Sequence, residues 1–249
     1  MSKNIKYLSS FRLRVLIGLA IFLSVGFLAW SAKSIFAKDP AEFFEKKSYV
    51  NKILNLPEPG SYTLQKIFPV PKLSVLDTKG QLQPISKYTK GKITLLTFFY
   101  DRCSDVNGCP YAMMLFHQVK NKLEKNEKMR NSVRLVHISF DPARDTPMML
   151  AGLEKRSSGI ARNEKSIEWD FLTTASVDHL LPIVDGFGQN VDININPKLG
   201  DKTLTYSHVL KAFLIDENGN VREIYSTNYI SAEMLLNDIQ TLDLERSSK

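Results

Sequence analysis

The chain has 249 residues, 43% of them hydrophobic, which is enough for one globular domain with accessory segments. This length excludes a mini-protein that depends on disulfides, and two cysteines are too few for a disulfide scaffold. The 33 basic and 26 acidic residues give a net charge of +7, which on its own suggests a nucleic-acid or acidic-lipid partner.

The positive charge is concentrated at the start of the chain. Residues 1–37 contain five basic residues and no acidic one, so residues 38–249 keep 28 basic and 26 acidic residues, a net charge of +2. A nearly neutral domain has no electrostatic need for a polyanion. We therefore expect no nucleic-acid partner.

Residues 15–32 are 18 uncharged, mostly apolar residues, just enough for a helix that crosses a bilayer. The basic residues before them place residues 1–14 in the cytoplasm and the rest of the chain outside it. A cleaved signal peptide is the alternative, because its positively charged start would look the same. The expected location is the bacterial inner membrane with the domain in the periplasm, or else the mitochondrial inner membrane facing the intermembrane space.

Residues 33–65 mix charges with prolines and a glycine and are predicted to be a tether to a folded domain over residues 66–249. Within that domain, residues 93–100 form an apolar, β-branched and aromatic run, typical of a central strand covered on both faces. From Pro110 onward, apolar residues recur at three- and four-residue steps, which predicts an amphipathic helix.

The second half of the domain continues to alternate strands and helices. Strands are predicted at 133–140 and 169–173, and helices from 147 and over 177–187. Asn218-Gly219 predicts the turn of a hairpin between 209–215 and 221–225, and Ser231 is expected to cap a final helix. This order indicates an α/β protein with a thioredoxin-like fold, a central mixed sheet flanked by helices, behind one N-terminal transmembrane helix.

The two cysteines lie at the junction of the central strand and the following helix. Cys103 comes directly after the strand, and Cys109 precedes Pro110, which makes Cys109 the predicted N-cap, where the helix dipole favours a thiolate. Two converging thiols outside the cytoplasm fit a structural disulfide, a redox dithiol or a soft-metal site. The short loop gains little stability from closure, which argues against the structural disulfide.

Three motifs in this chain resemble the Sco/SenC family, the copper chaperones of cytochrome c oxidase assembly. The first motif consists of Gly91-Lys92, the stretch FYDRCSDV at 99–106 and Cys109-Pro110. The second is the stretch SFDPARDTP at 139–147. The third is Ser207-His208-Val209, followed by FLIDENG at 213–219. The family has three residues between its cysteines, whereas this chain has five, as if Asn107-Gly108 had been inserted. The longer Cys-x5-Cys loop leaves both copper binding and disulfide exchange open.

The resemblance implies a site in which Cys103, Cys109 and His208 hold one copper ion, as Cu(I) or Cu(II). Independently, Cu(I) prefers soft thiolates with an imidazole as a third ligand. The implied partners are an upstream copper donor protein and the copper-bearing subunit of cytochrome c oxidase, whose binuclear site receives the ion. Asp141 and Asp145 are candidates to orient His208 or an arginine, although Asp145 or Thr146 would also serve as the cap of the helix that begins at Pro147.

A second hypothesis is a thiol:disulfide oxidoreductase, an enzyme in which Cys103 and Cys109 form the redox dithiol and reduce the cysteines of the oxidase or of another target. Thioredoxin-type reductases carry a proline opposite the dithiol, but residues 204–210 contain His208 and no proline. This favours metal binding. The other histidines, His117, His137 and His179, are expected to serve packing or the surface. A non-catalytic sensor or scaffold with the same fold also remains open.

Overall fold

The structure is a computed structural model, and it describes residues 56–103, 105, 108–158, 166–189, 192–195, 204–207, 211–226 and 230–248. The strands are β1 (Phe68–Pro69), β2 (Ser74–Leu76), β3 (Leu82–Pro84), β4 (Ile93–Phe99), β5 (Val133–Ser139), β6 (Glu168–Leu172), β7 (Asp192–Ile195), β8 (Leu204–Ser207), β9 (Lys211–Ile215) and β10 (Asn220–Ser226). The helices are α1 (Ser86–Thr89), α2 (Cys109–Leu123), α3 (Glu127–Ser132), α4 (Pro147–Ser158), α5 (Val177–Gly186) and α6 (Ala232–Ser247).

Six of these strands form one mixed sheet in the order β1-β10-β9-β4-β5-β6, and β2-β3 and β7-β8 form separate hairpins. Strand β4 pairs in parallel with β5 and antiparallel with β9, and β5 pairs in parallel with β6. The predicted α/β class, the mixed sheet and the central position of β4 are confirmed.

Every residue of β4 is buried, because helices cover both faces of the sheet. On one face, Leu96 and Phe98 belong to the main apolar core together with Ile183 and Phe187 from α5 and the segment after it. On the other face, the ring of Phe99 lies 5.3 Å from that of His137, in an aromatic cluster under α2. A strand covered on both faces has no reason to alternate apolar and polar residues.

The other predicted elements follow from local sequence signals. The apolar positions predicted to face inward on α2 are all buried, namely Ala112, Leu115, Phe116, Val119 and Leu123. The β9-β10 hairpin turns through Gly219 at a φ of +82°, a conformation that glycine adopts without strain. Helix α6 begins where the Ser231 hydroxyl accepts the Met234 N–H at 3.2 Å.

The segment before β1 is attached to the domain by hydrogen bonds. The Asn237 side chain on α6 donates to the Pro57 carbonyl at 2.7 Å, and the buried Arg222 guanidinium donates to the Leu64 carbonyl at 2.9 Å. The last part of the tether predicted over 33–65 is therefore held against α6 and β10.

No helix in the described ranges is both long enough and apolar enough to cross a membrane. The predicted span, residues 15–32, and the predicted cytoplasmic segment, residues 1–14, lie outside those ranges.

Candidate metal centre

Cys103 lies at the carboxyl edge of the sheet, just beyond β4. The Phe140 N–H donates to the Phe99 carbonyl at 2.7 Å, which extends the pairing of β4 and β5 to the last residue of the central strand. The Cys103 N–H then donates to the Tyr100 carbonyl at 3.2 Å and closes a tight turn. The strand pairing and this turn together set the position of the Cys103 backbone.

Cys109 is the first residue of α2, and the N-cap is Gly108. The prediction that Cys109 itself caps the helix is therefore wrong by one residue. Pro110 occupies the second helical position, where its missing N–H costs nothing because the first N–H groups of a helix have no intrahelical partner.

The two cysteines are free thiols in hydrogen-bond contact. The Cys109 thiol donates to the Cys103 sulfur, which also accepts the backbone N–H groups of Cys109 and Asp105 and the hydroxyl of Tyr100. These donors outweigh partial burial and lower the pKa of Cys103 to about 6. Near neutral pH, Cys103 is therefore mostly a thiolate.

Cys109 differs from Cys103 in both exposure and acidity, and only 7% of it is exposed. Its hydrogen bond to Cys103, its burial and the charge on Cys103 together raise the pKa of the Cys109 thiol. The expectation of a thiolate at Cys109 is therefore wrong. Backbone N–H groups of Tyr100 and Cys109 do lower the pKa of Cys109, but the hydrogen bond to Cys103, burial and the charge on Cys103 outweigh them.

The five-residue spacing is accommodated by close packing of Gly108. Its N–H donates to the Asp105 carbonyl at 2.9 Å, closing a second turn. A Cβ atom built on Gly108 would lie 3.4 Å from the sulfur of Cys103. The missing side chain lets the loop pack directly on that sulfur, so the longer spacing still brings the two thiols together. The remaining loop residues, Ser104, Val106 and Asn107, lie outside the described residues.

Asp145 contacts the segment that leads to Cys103. Its carboxylate is 1% exposed, and one oxygen, Oδ2, accepts both the Ser139 hydroxyl at 2.5 Å and the Asp101 N–H at 3.2 Å. Burial raises the pKa of Asp145, against the effect of the two hydrogen bonds.

Asp141 is also buried, and its carboxylate forms an ion pair with the Nε of Arg144. The cap of α4 is Thr146, whose hydroxyl accepts the Met149 N–H at 3.5 Å. Of the two carboxylates predicted near the site, Asp141 thus binds an arginine, whereas Asp145 binds the backbone before the cysteines.

His208 lies outside the described residues, but the neighbouring strand locates the segment that follows it. Strand β9 runs antiparallel to β4 with Ala212 opposite Thr97, and the Thr97 hydroxyl donates to the Lys211 carbonyl at 2.9 Å. Lys211, three residues after His208, therefore lies near the carboxyl edge of β4. Within the described part of the chain, no group of three or more Cys, His, Asp or Glu side chains is arranged to hold a metal ion.

The other three histidines occupy packing or surface positions. His137 is 1% exposed, and its Nδ1 accepts the Trp169 indole N–H at 2.9 Å. Since an indole N–H only donates, His137 is a neutral imidazole, and burial lowers its pKa to about 3. His117 packs on Trp169 with ring centroids 4.7 Å apart, and the exposed His179 forms a 2.8 Å hydrogen bond with Ser176.

Tyr100 is a further residue of the site, with a role that the sequence patterns do not indicate. Burial and the charge on Cys103 raise the pKa of Tyr100, so the phenol stays protonated and donates to the thiolate. The sequence signal for this role is its position three residues before Cys103. The turn closed by the Cys103 N–H and the Tyr100 carbonyl brings the two residues together.

A mixed sheet with a dithiol at the carboxyl edge of its central strand, facing a helix N-terminus, defines a thioredoxin-like protein with a redox or soft-metal site. Residues 70–243 match the family model described as SCO1/SenC. This chain belongs to the SCO1/SenC family, as the three motifs predicted.

Several solved Sco structures share the fold. The chain is 19% identical to Arabidopsis thaliana ScoI with copper bound, covering 72% of this chain and 99% of that one, with a TM-score of 0.57. Bradyrhizobium japonicum ScoI with copper bound is 20% identical over 72% and 99% of the two chains, with a TM-score of 0.53. BsSco, described as having a disulfide switch and as a member of the Sco family of cytochrome c oxidase assembly proteins, is 20% identical over 73% and 98%, with a TM-score of 0.53.

These likenesses confirm the thioredoxin-like Sco fold. No curated protein has significant sequence similarity to the chain.

Proposed function

We propose that this protein is a membrane-anchored copper chaperone that binds one copper ion through Cys103, Cys109 and His208 and delivers it to the binuclear copper site of cytochrome c oxidase during assembly. Copper is the cargo in this proposal. The observation that carries it is the pair of hydrogen-bonded free thiols at the edge of β4. The family supports it, since two similar Sco structures contain copper and BsSco belongs to a family of oxidase assembly proteins.

The chemistry of the described donors fits this cargo. Thiolates are the soft ligands that Cu(I) prefers, and Cys103 already carries the charge that a metal ligand needs. Cys109 must lose its proton when the ion binds, so binding releases a proton into solution. A partly exposed thiolate beside a buried thiol also gives a receiving protein one accessible sulfur for ligand exchange.

His208 as the third ligand is supported by the sheet register. Lys211 lies near the edge where Cys103 follows β4, and three residues of extended chain span at most about 10 Å. This register supports His208 as a ligand, because the chain that follows it enters β9 at the edge where β4 ends. Asp141 and Asp145 belong to the proposal as residues that support the ligands by hydrogen bonds and charge.

The proposed location is the bacterial inner membrane, with residues 15–32 as the single span and the domain in the periplasm. The intermembrane space side of the mitochondrial inner membrane is the alternative. The proposed partners are the copper-bearing subunit of the oxidase and an upstream copper donor protein.

The test is a Cu(I) titration of the full chain, purified in detergent, in competition with a chromophoric Cu(I) chelator. We expect one equivalent to bind tightly, and we expect Cys103→Ala, Cys109→Ala or His208→Ala to remove it. His179→Ala is the matched control, because that histidine is exposed and its side chain forms a hydrogen bond with Ser176, away from the cysteines in the sequence. Wild-type protein that binds Cu(I) no better than the double cysteine variant would rule out the chaperone.

The second candidate function is a thiol:disulfide oxidoreductase, and the unequal acidity of the two thiols favours it. Such an enzyme requires an accessible, low-pKa cysteine that attacks and a second cysteine that resolves, and the partly exposed Cys103 and the buried Cys109 fit these roles. Rapid reduction of an oxidised target peptide by the same preparation, together with absent Cu(I) binding, would favour this function over the first.

A further inference from the structure

The carboxylate of Asp145 joins two segments of the edge where the cysteines lie. It belongs to the segment between β5 and α4, yet its Oδ2 accepts the backbone N–H of Asp101 at 3.2 Å. Asp101 is the second residue after β4 and precedes Cys103 by two positions. A side chain 44 positions away in the sequence therefore fixes the start of the cysteine loop.

Asp145 is itself held firmly. It is 1% exposed, the Ser139 hydroxyl donates to the same Oδ2 at 2.5 Å, and the Asp145 N–H donates to the Asp141 carbonyl at 2.8 Å. The Ser139 hydroxyl in turn accepts the Asp141 N–H at 2.9 Å. Ser139 pairs with Phe99, the last residue of β4. The hydrogen bond from Ser139 therefore fixes the position of Asp145 relative to the end of the central strand.

We propose that Asp145 is a positioning residue for the dithiol, and that its hydrogen bond to the Asp101 N–H sets the placement of Cys103 relative to Cys109. This inference rests on the proposed function, because it takes the two cysteines to be the functional site.

The short path from Asp101 to Cys103 makes this effect direct. The Cys103 N–H is bound to the Tyr100 carbonyl at 3.2 Å, so residues 100–103 form one hydrogen-bonded turn. The backbone of Cys109 belongs to a different element, the first turn of α2. If Asp101 is released, the turn that carries Cys103 can shift relative to the first turn of α2, and the geometry between the two sulfurs changes.

The test compares Asp145→Ala with Asp145→Asn in the full chain. Both hydrogen bonds end on a single oxygen, so an asparagine can supply that oxygen and alanine cannot. The first readout is the equilibrium with glutathione, in which the disulfide between Cys103 and Cys109 takes two electrons and two protons from two glutathione molecules, which become one glutathione disulfide.

We expect Asp145→Ala to change this equilibrium constant by about tenfold or more and Asp145→Asn by less than about threefold, because a misplaced sulfur strains or weakens the disulfide. The second readout, the Cu(I) affinity, should fall by about tenfold in Asp145→Ala, in line with losses on removing a residue that holds a metal ligand.

Asp216→Ala is the matched control. Asp216 is another buried carboxylate that holds a turn, through the Asn218 and Asn220 N–H groups, at the opposite edge of the sheet. It should lower stability and leave both readouts within about twofold of wild type. Equal readouts for Asp145→Ala and Asp216→Ala would overturn the proposal.

Ser139→Ala keeps the proposal testable if Asp145→Ala does not fold. Removing that hydroxyl frees the carboxylate to turn, so both readouts should shift in the same direction as in Asp145→Ala but by a smaller factor. An unchanged glutathione equilibrium in Ser139→Ala would then contradict it. Because this equilibrium needs no metal, wild-type protein that fails to bind copper would overturn the proposed function without deciding this inference.

Discussion

Gly108 lies against the sulfur of Cys103, so that a Cβ atom at this position would sit 3.4 Å from Sγ and 3.2 Å from the Asp105 carbonyl oxygen. Gly108, the last residue between the two cysteines, thus packs against the site where a side chain would crowd the Asp105 carbonyl.

We predict that Gly108→Ala disturbs the site more than the fold. The added methyl group would lie 3.2 Å from the Asp105 carbonyl oxygen, which must move by a few tenths of an ångström and which accepts the Gly108 N–H. We expect the rate of Cys103 alkylation at pH 7 to change by about threefold or more, and stability to fall by about 1 kcal/mol. Gly152→Ala is the control, because its new methyl group would meet only the flexible end of Arg156, also at 3.4 Å.

The second prediction concerns the pH dependence of alkylation. Cys103 should react with iodoacetamide with a midpoint near its pKa of about 6, whereas Cys109 should stay unmodified through pH 9 because its pKa is raised and it is buried. Peptide mapping by mass spectrometry at a series of pH values measures this. Preferential labelling of Cys109 would contradict the assignment of the thiolate.

Tyr100→Phe should move that midpoint upward, by about half to one pH unit, because the variant lacks a donor to the thiolate. Tyr111→Phe is the matched control on α2, since its hydroxyl donates to the Ile230 carbonyl at 3.0 Å and not to a thiol. An unchanged midpoint in Tyr100→Phe would show that the backbone donors suffice.

The third prediction concerns acid stability and His137. Its pKa is about 3 in the folded protein and about 6.5 in the unfolded chain, so the unfolded state binds the proton more readily. The stability contributed by neutral His137 is fully present above pH 6.5 and is lost as pH falls from 6.5 toward 3, by up to about 1.4 kcal/mol per pH unit.

His137→Phe should flatten this part of the pH profile, measured by urea unfolding between pH 7 and pH 4. The variant also leaves the Trp169 N–H without its acceptor, which should cost about 1–3 kcal/mol at every pH. The slope is therefore the diagnostic quantity, and equal slopes in wild type and variant would contradict the assignment.

The fourth prediction concerns Arg222, which is 5% exposed and binds Asp216, Glu245 and the Leu64 carbonyl. Arg222→Ala should destabilise the protein by about 3–5 kcal/mol, because it removes the ion-pair partner of the buried Asp216. Arg246→Ala removes a more exposed ion pair and should cost about 0–1 kcal/mol. Both costs are measurable by urea unfolding, and neither variant should change the glutathione equilibrium of the cysteines.

Much of the fold was accessible from the sequence because its signals are local. The unbroken apolar run of β4, the helical spacing on α2 and the Asn218-Gly219 turn each depend on residues within a few positions of one another. The hairpin β7-β8 and the short strands before β4 were not predicted. Their sequences are short and polar enough that only their partners in space make them strands.

The candidate site likewise has features that the sequence determines and features that only the tertiary structure decides. Its two cysteines, their place between a strand and a helix, and the family were determined by the sequence, because spacing and residue type carry that information. Which cysteine bears the charge, the contact of Gly108 with the sulfur and the hydrogen bond from Asp101 to Asp145 were decided only by the tertiary structure. Burial and hydrogen bonding depend on atoms that distant segments bring together, and a pKa or a loop position follows from those atoms and not from the neighbours in the chain.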